Sequence, residues 1–263
     1  MDFCPSAIRR IIMSENSFAN DSVREFLMKL GSGAPTPGGG AAASLSSAMG
    51  ASLLMMVANH TIGKAKYAEY EELNKRVRDE AEILLERFIS GMDKDAEAFK
   101  AVSGAFGMPR AFSDIQVDRV SAVIEELRSA GCEVSDIDAE EGMTPELMDQ
   151  IESGLKAVRS AEIGKASIAA AEAPLAVMED SAKGLALAVE MPGCSNANLL
   201  SDVLVATHCF SSGLLSAYYN VEANLPAIRR RDAELAEELL DKAGSLIIRG
   251  QELAEEVMRK AGK

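Results

Sequence analysis

Tryptophan is missing from this 263-residue sequence, prolines number only 8, and aromatic residues make up 5%. Strands draw on aromatic and β-branched side chains, and such runs are sparse, which argues against a β-rich fold. The two histidines, His60 and His208, have no ligand spacing. The four cysteines (Cys4, Cys132, Cys194 and Cys209) contain no CxxC pair. No zinc centre, other metal site or disulfide scaffold is expected, and a reduced cytoplasmic setting is the default. Positive charge is also short: 27 Lys+Arg against 41 Asp+Glu gives a formal charge of −14. A nucleic-acid binder calls for a basic surface, so nucleic acid is not an expected partner. No GxGxxG follows a strand, no GxSxG occurs, and Gly63-Lys64 is followed by Ala65 rather than Ser or Thr. The standard nucleotide and hydrolase motifs are therefore absent.

Long membrane-type runs are lacking too. The N-terminal "MDFCPSAIRRIIM" has no signal-peptide core, and residues 1–18 read as a loose extension in which Met13 offers a second start. The most apolar run, Ala41 to Ala58, is rich in Ala, Ser and Gly. It reads as a buried helix rather than a span, and no membrane is expected.

What the sequence has is Ala, Leu, Met and Glu at helical spacing. The expected fold is all-α: one up-and-down bundle over residues 19–263. Helices are expected over about Ser22–Leu30, Gly38–Asn59, Glu69–Phe106, Leu155–Met191, Asn198–Ala223 and Asp232–Ala261. Pro174 should kink or divide the fourth of these. Residues 113–153 hold twelve acidic and two basic residues and read as an acidic, solvated insertion with two short helices.

Three places depart from ordinary helix chemistry. "PTPGGG" opens a long apolar helix with glycines at Gly38, Gly39 and Gly40, each costing about 1 kcal/mol against alanine inside a helix. Such a start either bares backbone N–H groups to a ligand or lets a neighbour approach closely. In the long third helix, the stripe Val77, Ala81, Leu84, Phe88, Met92, Asp95, Phe99, Val102, Phe106 puts a carboxylate where an apolar side chain belongs. Asp95 is either satisfied by a partner or an acid–base group with a raised pKa. Asp202, near Asn196 and Asn198, is either a helix-start compensating charge or a second site carboxylate. The loop carrying Lys64, Lys66 and Tyr67 is either simply solvated or a clamp for an anionic substrate.

In order, "PTPGGGAAASLSSAMGASLLMMV", "TIGKAKY", "DKDAEAF", "MP", "AEAPL", "NLLSDVLVA" and "YYNVEANL" resemble the cyclodeaminase/cyclohydrolase family. That family includes the C-terminal domain of formiminotransferase-cyclodeaminase and stand-alone methenyltetrahydrofolate cyclohydrolases. The resemblance covers about Val23 to Ala254, apart from the acidic segment. It implies a helical subunit that forms a homodimer, a folate site in a groove near the interface, and no metal or redox cofactor. It places the glycine-rich start on Pro37, Gly38, Gly39 and Gly40, the loop lysine on Lys64, and the two aspartates on Asp95 and Asp202. The family asparagines fall on Asn198 and Asn220. The family arginine falls on Arg159, with Arg119 as competitor. Tyr67 and Phe99 complete the candidate substrate-binding set.

The resemblance implies hydrolysis of 5,10-methenyltetrahydrofolate to 10-formyltetrahydrofolate, because no transferase domain is expected here to deliver a formimino group. The alternatives are formiminotetrahydrofolate cyclodeaminase, which releases ammonia, and a dimeric folate-binding protein without turnover.

Overall fold

A computed structural model describes residues 17–138 and 142–263. Among these residues there is no strand, and seven α-helices account for the architecture: α1 (Val23–Leu30), α2 (Gly39–Asn59), α3 (Glu71–Phe106), α4 (Val120–Ser129), α5 (Pro145–Glu190), α6 (Leu200–Arg229) and α7 (Ala233–Lys260). Most of the expected loose extension lies outside the described residues. Its last two residues, however, are tied down: Ser17 Oγ and the Phe18 N–H donate to the Asp93 carboxylate, at 2.5 and 2.9 Å.

The apolar stripes set the bundle. One core joins α2, α3, α5, α6 and α7 through side chains such as Leu54, Phe88, Met178, Leu185, Phe210 and Val257. Neighbours run antiparallel. Gly40 at the start of α2 meets Asp95 late in α3, and Gly50 meets Ala206 early in α6. Small residues allow this approach: a β-carbon on Gly213 would sit 1.9 Å from Ser47 Oγ. By length and hydropathy, α2 (Gly39–Asn59) and Ala197–Arg229 would each suffice to cross a membrane. Here they pack against each other in the bundle, yet only 56% and 33% of their most apolar windows are buried.

Two expectations about helix ends need correction. α5 is one helix of 46 residues that runs through Pro174 without division. Proline removes the N–H that would bond the carbonyl of Ala170. The Asn224 side-chain amide of α6 donates to that carbonyl at 3.2 Å, so the gap is filled from a neighbour. α6 likewise continues past Ala223, through Pro226, to Arg229.

The acidic segment is also more ordered than a solvated excursion. It supplies α4 and the first turns of α5, not two short helices, and Val120, Ile124, Leu127, Val134, Leu147, Ile151 and Leu155 form a small core of their own. Thr144 caps α5 by accepting from the Leu147 N–H, with Pro145 in the first turn.

Candidate active site

The glycine-rich start of α2 is explained by what stands against it. A β-carbon on Gly40 would lie 2.0 Å from Asp95 Oδ1, and one on Gly39 would lie 3.4 Å from Asn220 Oδ1. Gly38 faces open space. The Asp95 carboxylate accepts the Ala41 N–H at 3.1 Å, one of the donors that a helix start leaves unpaired. Burial pushes the Asp95 carboxyl above its usual range, and the single Ala41 bond opposes this only in part. Asn220 Nδ2 donates to the Ser216 carbonyl at 2.9 Å, which leaves its oxygen toward Gly39. Pro37 precedes the cluster, and Phe99, one turn beyond Asp95, is 45% exposed.

That exposure corrects the expected α3 seam. Val77 to Met92 are buried, but Phe99 and Phe106 are not. α2 begins opposite Asp95, so α3 beyond that point has no α2 to pack against. The result is a half-buried carboxylate at the edge of the core, beside an exposed aromatic.

The second group of candidate residues lies elsewhere. The Tyr67 hydroxyl accepts the Ala197 N–H at 3.0 Å, and that bond is the main cause of a lowered Tyr67 pKa. Thr61 Oγ1 accepts the Asn196 N–H at 2.9 Å, and the Asn196 carboxamide oxygen accepts the Asn198 N–H at 3.3 Å. These bonds clamp the loop after α2 onto the turn before α6. Lys64 is exposed and starts a short 3-10 turn, Ala65–Tyr70, while Lys66 Nζ stands 5.2 Å from the centre of the Tyr67 ring. Asp202 is in the first turn of α6 and partly exposed.

The structure therefore does not gather the candidates into one place. Pro37, Gly38, Gly39, Gly40, Asp95, Phe99 and Asn220 share one end of the bundle. Lys64, Tyr67, Asn198 and Asp202 share the other. The ends are a helix apart: Gly39 to Asn59 along α2 is about 30 Å, and Asp202 to Asn220 along α6 about 27 Å, at ~1.5 Å per residue.

Of the two competing arginines, Arg119 pairs with Glu126 at 3.3 Å on the exposed side of α4. Arg159 lies beyond the Asp95 end, at the last turn of α3: it donates to the Phe106 carbonyl at 3.0 Å and lies over the Phe106 ring.

An apolar groove lies beside the middle of α2, between the two ends. It holds about 560 Å³ and is lined by Leu45, Met49 and Leu53 of α2, Leu85 and Ile89 of α3, and Val205 and Cys209 of α6, among others. Among the described residues, no three His, Cys, Asp or Glu side chains are grouped so as to hold a metal ion.

A sequence model described as formiminotransferase-cyclodeaminase matches residues 22–135 and 146–245. Only 136–145 fall between these stretches, so the match takes in most of the acidic segment. The methenyltetrahydrofolate cyclohydrolase of Methylorubrum extorquens is 34% identical over 228 residues, 87% of this chain and 89% of that protein. The formimidoyltransferase-cyclodeaminase of Rattus norvegicus is 26% identical over 211 residues, 80% of this chain but 32% of that protein. A solved formiminotetrahydrofolate cyclodeaminase from Thermotoga maritima covers 92% of this chain and 96% of its own, with a TM-score of 0.70 at 21% identity, a likeness of fold. The chain belongs to the formiminotransferase-cyclodeaminase family.

Proposed function

We propose that this protein is a homodimeric methenyltetrahydrofolate cyclohydrolase. The observation that carries the chemistry is Asp95: a half-buried carboxyl with a raised pKa, seated on Gly40 at a helix start beside an exposed aromatic. Cyclohydrolase is favoured over cyclodeaminase by sequence identity, 34% to the Methylorubrum extorquens cyclohydrolase against 26% to the rat and 21% to the Thermotoga maritima cyclodeaminase, although the chain covers 96% of the last.

The reaction adds water to the electrophilic carbon held between N5 and N10. As an oxygen–carbon bond forms, the water loses a proton. As the carbon–N5 bond breaks, the new hydroxyl gives up its proton to become the formyl carbonyl and the ring nitrogen gains one, so the cationic substrate releases one proton overall. Asp95 takes the water proton, and its raised pKa brings it nearer to the working pH of a general base. Lys64 stabilises negative charge developing on oxygen or tunes the acid, and Asp202 holds the pterin or orients water. Protons and water move while no oxidation state changes, so the reading calls for no redox cofactor.

Groups 27–30 Å apart cannot act on one carbon, and this separation supports a site that draws on two copies. Met49 lies midway along α2, half exposed at 50%, on the wall of the apolar groove. A two-fold contact there, with the α2 helices antiparallel, brings the Asp95 end of one protomer to the Lys64 end of its partner. Such an isologous contact produces two equal sites and covers the apolar surface that α2 and α6 leave bare.

The test is a pair of assays: loss of the methenyltetrahydrofolate chromophore above its spontaneous hydrolysis, and ammonia release from formiminotetrahydrofolate. The proposal expects the first to dominate. Dominance of the second makes the protein a cyclodeaminase, and folate binding without either makes it a binding protein.

A further inference from the structure

A second pocket, of about 190 Å³, opens between the C-terminal ends of α3 and α6 and the N-terminal half of α5. Its walls carry Arg110, Lys156, Arg159, Arg230 and Arg231, and no acidic side chain. In a chain with net charge −14, this concentration of cations stands out against the rest of the surface.

Helix-end compensation explains only some of them. Arg159 bonds the last carbonyl of α3, whereas Arg231 donates at 2.6 Å to the carbonyl of Ala161, inside α5. Lys156 stands 3.4 Å from Glu152, which also accepts the Phe112 N–H. The Arg110 and Arg230 guanidiniums form no ion pair among the described residues, although Asp114 lies close enough to Arg110 to interact electrostatically. Arg159 Nε is buried with no hydrogen-bond partner at all. A buried donor of a charged group is costly when unmatched. Folding alone does not account for leaving it so.

We infer that this pocket binds an anion presenting two or more carboxylate or phosphate oxygens, held by the planar forks of Arg110, Arg159 and Arg230. Position suggests what supplies the anion. Phe106 on the pocket wall lies three turns beyond Asp95 on the same α3 stripe, about 16 Å away, and Ala227 lies two turns beyond Asn220 on α6, about 10 Å. A folate with its pterin beside Asp95 would extend along exposed Phe99 and bring the two carboxylates of its terminal glutamate here. This choice of source rests on the proposed function; the anion site itself does not. The other source is a free phosphate or carboxylate.

The test uses the full chain, an R110Q/R230Q variant, and a charge-matched R249Q/R259Q control on α7. All the exchanged arginines are exposed, so thermal melting should show each variant folded. Calorimetric titrations with p-aminobenzoylglutamate, p-aminobenzoate and inorganic phosphate need no turnover. Wild type and control should bind p-aminobenzoylglutamate or phosphate, and R110Q/R230Q about tenfold or more weakly. Binding of p-aminobenzoylglutamate but not p-aminobenzoate, with a tenfold rise in KM and unchanged kcat for the full substrate, assigns the site to the substrate tail. Phosphate binding lost in R110Q/R230Q, with KM unaltered, assigns it to a separate anion. Neither anion bound by wild type, or equal binding by R110Q/R230Q, overturns the inference.

Discussion

The two ends of the bundle solve different problems. At the Asp95 end, geometry is tight: one extra carbon on Gly40 has no room, and the carboxylate is half-buried against a helix start. At the Lys64 end, the charged groups are solvated and only the backbone is held, through Tyr67, Thr61 and Asn196. The first end fixes a proton-transfer group and perturbs its pKa. The second presents charge on a loop whose position, rather than whose packing, is controlled. Variants at the two ends should therefore fail in different ways.

The largest effect is expected inside the tight end. Gly40→Val should lower kcat by at least about 100-fold, because the Asp95 carboxylate must leave its seat. Gly38→Ala, at the residue just before the first turn of α2, meets nothing within 4 Å and should retain near-normal rates. Equal damage from both would mean that the glycines serve the helix start itself rather than Asp95.

Next comes the solvated end. Lys64→Ala and Asp202→Asn should each cost roughly 10- to 100-fold in kcat/KM with melting temperature unchanged, since neither side chain is packed. A loss of stability in step with activity would contradict the contrast between the ends.

A smaller effect separates charge from shape at Asp95. Its folded-state pKa is raised, so the protonated form is favoured in the fold at low pH. That contribution is lost as pH rises from the ordinary carboxylate range through the raised value. Asp95→Asn, which keeps an acceptor for the Ala41 N–H, should then be stabilising at neutral pH. Its melting-temperature advantage over the wild type should shrink as pH falls, while turnover collapses. The wild-type acid limb of kcat/KM should lie above the usual carboxylate range. A D95N protein less stable than wild type at pH 7 would show that the charge is well matched.

The smallest effect is expected from Tyr67→Phe. It removes the acceptor of the Ala197 N–H, worth about 1 kcal/mol, and should raise KM a few-fold with little change in kcat. An unchanged KM would detach the loop clamp from substrate binding.

Much of this was legible in the sequence, for reasons of period. The 3–4 spacing from Val77 to Met92 is the buried face of α3, and Asp95 in that stripe is the carboxylate at the core edge. The glycine triplet pointed to a missing side chain but not to its neighbour, since Asp95 lies far from Gly40 along the chain. Pro174 does not divide α5, and the side-chain donor that fills the place of its missing N–H comes from Asn224, on another helix, which local sequence does not show. The acidic segment misled because charge dominates its composition while its apolar residues still find one another around Ile151. The basic pocket was not legible, because its walls come from α3, α5 and α6, which stand far apart in the sequence. The separation of the two ends was hidden, because a sequence motif carries no distance.

That separation is tested most directly by mixing two impaired proteins. Asp95→Asn and Lys64→Ala disable opposite ends, so a mixed dimer holds one site with both defects and one with neither. Unfolding and co-refolding equal amounts should restore about a quarter of wild-type activity, the share expected for random two-fold pairing. No recovery, with mixed dimers demonstrably formed, would mean that Asp95 and Lys64 do not meet across copies.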